Sequence, residues 1–271
     1  MPQEMVDNFS RTGVSHIVAV SGYNVSIIAV VLSGILIYLG LSRRKTFWLL
    51  ALLILTFVFF TGATASVVRA GVMAMIILVA QYIGRLSSVG RTLVYAAVII
   101  LLFNPYLLVW DVGFQLSFLS TLGLVYLSPI LEYIIAKKIK TKNSLTTAML
   151  EILVTTLSAI TATMPMIMYQ FGRFSTVALL VNILILWLVP WLMLFGFLSL
   201  VASFLFFPFG QVLAWATGAG TRYVIMVVDW FGDKSWSAVD MQIPVWAMII
   251  IYLLLINFVW RYGKKTKIFF V

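Results

Sequence analysis

The segment His16-Ile-Val-Ala-Val-Ser-Gly-Tyr-Asn-Val-Ser26 places a histidine, two serines, a glycine and an asparagine at the start of an apolar run. Polar groups at membrane depth raise the free energy unless they find partners or line a wet cavity. A serine near a histidine suggests a nucleophile and its base. His16 and Ser21 are five residues apart, however, so on one helix they point about 140° away from each other. A dyad would require the backbone to break at Gly22. His16 is the chain's one histidine, so a histidine-based membrane hydrolase would rest on it alone. By itself it reads as an interfacial histidine bonded to a neighbouring helix. Gly22 and Ser26 form a small-xxx-small pair, the pattern of close helix packing.

Three further constellations carry polar chemistry. In Gly62-Ala-Thr-Ala-Ser66-Val-Val-Arg69-Ala-Gly71, small residues lead into an arginine about one turn inside a span. An arginine at mid-helix costs at least about 2.5 kcal/mol on insertion scales. Arg69 either snorkels to the interface or faces a wet cavity and offers its guanidinium to an anion such as phosphate. Ser66 lies three residues earlier, on roughly the same face.

In Asp111-Val-Gly-Phe-Gln115-Leu-Ser117, the acid between two spans reads as a turn residue or helix N-cap, or as a partner for Arg69. Gln115 and Ser117 point to different sides of a helix, so at most one of them faces a given cavity. The last constellation combines Met164-Pro165, Arg173 in Phe-Gly-Arg-Phe, Asn182 and Pro190. Intrahelical prolines free carbonyls that need other partners. Broken helices of this sort often flank transport paths, and they are also common in membrane helices of no special role. Farther on, Arg222 and Asp229 are seven apart and so share a face. Arg222, nearer the middle of its span, is a further pathway candidate.

The elements that must position these groups are membrane helices. Of 271 residues, 63% are hydrophobic and 10% are charged, with mean hydropathy +1.12. Soluble domains hold about 45–50% apolar and about 25% charged residues. A helix needs about 20 apolar residues to cross the hydrocarbon core, which predicts spans at 17–40, 47–62, 66–84, 93–110, 112–133, 150–170, 175–206, 211–230 and 243–260. The 175–206 run is one kinked or tilted helix, or two half-helices divided at Pro190. The expected fold is all-α, a polytopic bundle of about nine spans. A short polar segment occupies residues 1–15, the membrane domain 16–262 and a basic tail 263–271. The first fifteen residues lack the basic start and short apolar core of a cleavable signal peptide.

The net charge is +10. Thirteen of the 18 basic residues lie in four loops: Arg43, Arg44 and Lys45; Arg85 and Arg91; Lys137, Lys138, Lys140 and Lys142; and Arg261, Lys264, Lys265 and Lys267. Cytoplasmic loops of membrane proteins carry such a bias, so it does not argue for nucleic-acid contact. With nine crossings all four clusters fall inside, the N-terminus outside and the C-terminus inside. The opposite loops hold the sparse set Asp111, Arg173, Asp233, Lys234 and Asp240. One histidine, no cysteine and scattered acids assemble no metal site. Neither a phosphate-binding P-loop nor a dinucleotide fingerprint occurs. No cofactor and no catalytic residue are expected, and any energy must come from a partner.

Three blocks in this order resemble the transmembrane competence domain of the ComEC family, the inner-membrane DNA channel of natural transformation. GVSHIVAVSGYNVSIIA at 13–29 looks like the family's block around a His and a Ser-Gly pair. GATASVVRAGVMA at 62–74 and NPYLLVWDVGFQLSFLSTLGL at 104–124 are similar to its Ser/Arg and Asp-x-Gly-Phe-Gln-Leu-Ser-Phe blocks. Weaker matches are MPMIMYQFGRFS and LVNILILWLVP. Asn24 stands where the family usually has a second histidine. The OB-like and nuclease domains that family members often carry have no counterpart in these 271 residues.

The resemblance implies a plasma-membrane channel passing single-stranded DNA inward. Arg69, Arg173 and Arg222 would contact phosphates, while His16, Ser21, Asn24 and Gln115 would line the path. Gly22, Ser66, Asp111, Ser117 and Asn182 complete the set of pathway candidates. The implied partners are the lipid bilayer, a cytosolic DNA translocase or helicase and a separate DNA receptor. A small-molecule permease, a His16-dependent hydrolase and a non-catalytic assembly scaffold are the alternatives.

Overall fold

The computed structural model describes residues 2–18, 25, 32–34, 36, 38, 40–62, 65–84, 89–136 and 144–266. Ser21, Gly22 and Asn24 lie outside the described residues, as does most of the expected span 17–40. The chain divides into two compact units. One comprises residues 1–15, 140–157 and 167–243, and the other residues 16–139, 158–166 and 244–271.

Helices dominate both units. In the second, α2 (Ser15–Val18) precedes α3 (Arg43–Phe60), α4 (Ala65–Tyr82), α5 (Val89–Phe103) and the short α6 (Leu107–Trp110). There follow α7 (Val112–Leu122), a π-helical turn at Gly123–Leu127 and α8 (Ser128–Ala136). The 158–166 stretch of α9 (Ser144–Phe171) and α13 (Val245–Thr266) complete it. Large side chains of α3 pack against Ala70, Gly71 and Ala74 of α4. Val25, Ile54, Val67 and Ala70 are buried together, with Phe57, Val58 and Ala74 against them. At Gly71 an added Cβ would lie 2.8 Å from Val58 Cγ2, which explains a glycine inside an apolar helix. Similarly, at Gly123 a Cβ would lie 2.6 Å from the Ser158 carbonyl oxygen and 2.7 Å from Ala162 Cβ.

In the first unit, α1 (Gln3–Arg11) lies against α12 (Phe207–Gly232). Asn8 Nδ2 donates to Asp229 at 3.1 Å and to Asp233 at 3.5 Å. Arg11 donates to the Lys234 carbonyl at 2.9 Å and to Ser237 at 3.2 Å. Gly232 permits this approach, since a Cβ there would sit 2.7 Å from the Asn8 side chain. Gly13 turns the chain out of α1 at φ +73°, where a Cβ would also meet Ala178 Cβ at 2.7 Å, so both conformation and space require glycine.

The all-α expectation holds, and the helices are joined by one small antiparallel pair. β1 (Arg173–Ser175) joins β2 (Ala238–Asp240), with Phe174 opposite Val239. The 175–206 run is broken. α10 (Ala178–Ile185) and α11 (Val189–Leu205) meet at a 41° bend. Pro190 lies in the first turn of α11, where a missing N–H goes unmissed. The expected span 93–110 is corrected: its helix ends at Phe103, Asn104-Pro105 turns the chain, and residues 107–110 form a separate turn of helix. Pro105 cannot donate to the helix ladder.

Among the described residues, three helices are long and apolar enough to cross a membrane: Val112–Ile135, Met149–Phe171 and Val245–Gly263. The bent pair makes a fourth if it is one span, and Ser66–Tyr82 and Val89–Phe103 are shorter apolar helices. Their outer faces are greasy. Leu52, Phe59, Leu102, Trp246, Leu253 and Ile256 are each more than half exposed, as suits side chains whose solvent is lipid. The chain is a multi-pass membrane protein.

Candidate functional site

The polar residues picked out by sequence separate into a buried cluster in the second unit and a surface network in the first. The buried cluster forms where α4 meets α7. Arg69 is 5% exposed, and its Nη1 lies 3.9 Å from Asp111 Oδ1. That oxygen also accepts the Phe114 N–H at 2.8 Å, so Asp111 is the N-cap of α7. Both roles open to Asp111 are therefore filled by one carboxylate. The capping bond is short, while the separation from the guanidinium exceeds hydrogen-bond length. Arg69 Nε is buried and has no hydrogen-bond partner among the described residues.

Gly113 adjoins this pair. A Cβ there would stand 3.6 Å from Arg69 Nη2 and 3.0 Å from Asp111 Oδ1. Gln115, one turn beyond Asp111, donates Nε2 to the carbonyls of Leu108 at 2.8 Å and Val109 at 3.0 Å. It ties α7 to α6, and its Oε1 is buried without a hydrogen-bond partner among the described residues. Ser117 is half-buried, and its carbonyl accepts the Thr121 hydroxyl at 2.9 Å. Ser66 is half-buried at the start of α4. An open groove of about 410 Å³ reaches the cluster, lined by Asn104, Tyr106, Leu107, Trp110, Asp111 and Val112. Tyr106 and Trp110 are 72% and 79% exposed. A second groove, of about 420 Å³, is lined by Leu41, Arg44, Lys45, Trp48 and Leu49. Its surface is almost wholly apolar and includes none of the candidate residues.

The surface network centres on Arg173. Its Nη1 lies 2.7 Å from Asp7 Oδ1 and its Nε 3.2 Å from Asp240 Oδ1. The hydrogen bond to Asp7, and after it the one to Asp240, raises the guanidinium pKa above its ordinary value. A raised value means that the guanidinium keeps its charge throughout the biological pH range. Arg173 thus joins β1 to both α1 and β2. Asn182 is buried at 3% exposure, and its Oδ1 has no hydrogen-bond partner among the described residues. Arg222 is exposed on α12 and makes no ion pair among the described residues. His16 is exposed in α2. The structure therefore brings Arg69, Asp111 and Gln115 onto contacting elements, whereas Arg173, Asn182 and Arg222 belong to the other unit.

Sequence reading missed the partners of Arg173 and the docking of α1. Asp7, Asn8 and Arg11 look like ordinary residues of a short polar segment, and their partners lie far along the chain. It also missed the groove, since Asn104, Tyr106 and Trp110 lay within an assumed span.

The sequence model of the competence protein family matches residues 1–265. The chain belongs to the competence protein family. It is similar to ComE operon protein 3 of Bacillus subtilis (strain 168), with 32% identity over 221 residues, which are 78% of this chain. Those residues are 27% of the relative, so the chain spans well under a third of that protein's length. No solved structure matches the chain. The family match takes in the Arg69–Asp111 cluster and the Arg173 network alike, and the competence assignment fits the resemblance seen in the three sequence blocks.

Proposed function

We propose that this chain serves DNA uptake in natural transformation, as an inner (plasma) membrane channel that conducts one DNA strand into the cytoplasm. The observation that carries the reading is the family match over residues 1–265. The buried Arg69 guanidinium supports it. A strand in transit is a polyanion that needs cationic donors along a wet path, with contacts indifferent to sequence. The exposed rings of Tyr106 and Trp110 offer stacking surfaces of that kind beside the same cluster.

In this reading the protein is not an enzyme and uses no cofactor. Its termini lie outside (N) and inside (C), and a cytosolic translocase or helicase draws the strand while a separate receptor delivers it. His16, Ser21, Gly22, Asn24, Ser66, Gln115, Ser117, Asn182 and Arg222 remain proposed pathway positions. Arg173, already bonded to two carboxylates, is a weaker phosphate contact than Arg69.

The test is uptake of labelled transforming DNA by cells lacking the gene, complemented with wild type or Arg69→Ala at equal membrane levels. Protected DNA in the cytoplasm with wild type, and a loss of tenfold or more with the variant, is the expected result; about 1.4 kcal/mol corresponds to each factor of ten. Normal uptake by the deletion strain would remove the channel reading and leave solute transport as the leading one.

A further inference from the structure

We propose that Arg69 and the amino end of α7 form a phosphodiester-binding site whose resting occupant is the carboxylate of Asp111. The inference rests on the channel reading for its occupant, and on geometry for the site. A guanidinium has five donors. Here it is 5% exposed; among the described residues its Nε has no hydrogen-bond partner, and the carboxylate oxygen it pairs with is 3.9 Å away and already accepts the Phe114 N–H. A buried cation so lightly engaged has unused capacity for an anion.

The guanidinium is also aimed at a place built for one. α7 has 11 residues, and the N–H groups of its first turn, those of Val112 and Gly113 among them, have no intrahelical acceptor. The aligned peptide dipoles favour negative charge there. Gly113 lets the carboxylate and the guanidinium lie close to this helix end, since a Cβ on it would stand 3.0 Å from Asp111 Oδ1, with Arg69 Nη2 and Nη1 at 3.6 Å and 3.8 Å. The groove lined by Asn104, Tyr106, Trp110, Asp111 and Val112 leads to this end.

The exchange balances in charge. A phosphodiester carries one negative charge, as the Asp111 carboxylate does, so replacing one by the other leaves the buried site's net charge unaltered. The phosphate oxygens match the guanidinium fork in a bidentate fashion. Asp111 keeps Arg69 compensated while the site is empty and competes with the ligand when it arrives. That competition makes each contact weak enough to release, which conduction requires.

The test uses the whole chain in maltoside micelles, titrated with fluorescent oligothymidylate and, in a separate arm, with phosphatidylglycerol. Asp111→Asn and Asp111→Ser remove the charge and keep a good N-cap, so at least one folded variant is expected, checked by its melting temperature. Each folded variant should bind about fivefold tighter or more, the lower end of typical coupling between linked sites. Arg69→Gln should bind about fivefold weaker or less. Unchanged or weaker binding by the folded Asp111 variants overturns the proposal. Tightening for phosphatidylglycerol alone supports the phosphodiester site and assigns it to a lipid headgroup rather than a strand. If deletion of the gene leaves DNA uptake intact while Asp111→Asn still tightens oligothymidylate, the channel reading fails and the site stands.

Discussion

Arg69 keeps 5% of its surface exposed, whereas the Arg173 side chain keeps 32% and its partners Asp7 and Asp240 keep 51% and 81%. The difference decides what each residue is worth. Exposed ion pairs contribute about 0.2–1 kcal/mol and are screened by salt, so the Arg173 network is a modest latch on α1. Packing at Gly232 is the stronger constraint, because a Cβ there would lie 2.7 Å from Asn8 Cγ and 2.8 Å from its Cβ, too close for a rotamer change alone to relieve. Overpacking of this kind costs about 1–3 kcal/mol. Gly232→Ala should therefore lift α1 more than Arg173→Ala does. Trypsin cleavage after Arg11 in the folded protein reads the difference: faster in Gly232→Ala than in Arg173→Ala, with only the latter approaching wild type at high salt, where the wild-type ion pairs are screened. Equal rates would mean that the ion pairs, not the packing, hold α1.

At the scale of the element, the sequence discloses helices wherever apolar composition and an N-cap coincide, and conceals what depends on a partner. Asp111 before α7 was legible because a carboxylate at that place has a local job. Its second neighbour, Arg69, was legible as an option because a charge in an apolar run demands compensation. The sequence leaves the 175–206 run open between one kinked helix and two half-helices; the break falls at residues 186–188, and Pro190 lies in the first turn of the second helix. The three-residue strands left no signal, since so short a segment has no readable period. The π-turn at Gly123–Leu127 left none either, and its first residue is fixed by a contact distant in sequence: Gly123 sits where any Cβ would strike the Ser158 carbonyl oxygen at 2.6 Å. Inserted turns of this type accommodate local strain in an otherwise α-helical span. Gly123→Ala should lower thermal stability by about 1–3 kcal/mol, seen as a drop in the melting temperature of the purified protein, whereas Gly218→Ala, with nothing within 4 Å of its Cβ position, should leave it nearly unaltered. A Gly123→Ala protein that melts with wild type would show that the helices adjust at no cost.

For the whole molecule, composition establishes a membrane protein and the family match a competence protein, but the count of crossings is less accessible. Hydropathy marks apolar length, and the helices at Ser66–Tyr82 and Val89–Phe103 are shorter than a full span. At about 1.5 Å per residue, the 15 residues of α5 cover roughly 22 Å of a core near 30 Å thick. Such helices cross by thinning the bilayer, by letting flanking residues snorkel, or with polar neighbours completing the path. The last possibility places Asn104 and the Arg69–Asp111 groove within reach of water at the end of α5. The basic clusters then predict sides: residues 41–46 and 261–265 inside, and the 104–111 turn outside. The chain contains no cysteine, so single cysteines report cleanly. In intact cells a membrane-impermeant maleimide should label Asn104→Cys, and it should label Ser42→Cys and Arg261→Cys only after the membrane is opened. Labelling of Ser42→Cys from outside would invert the orientation. Failure to label Asn104→Cys from either side would bury the turn in lipid and close the groove to an incoming strand, which would remove the access route on which the Arg69 site depends.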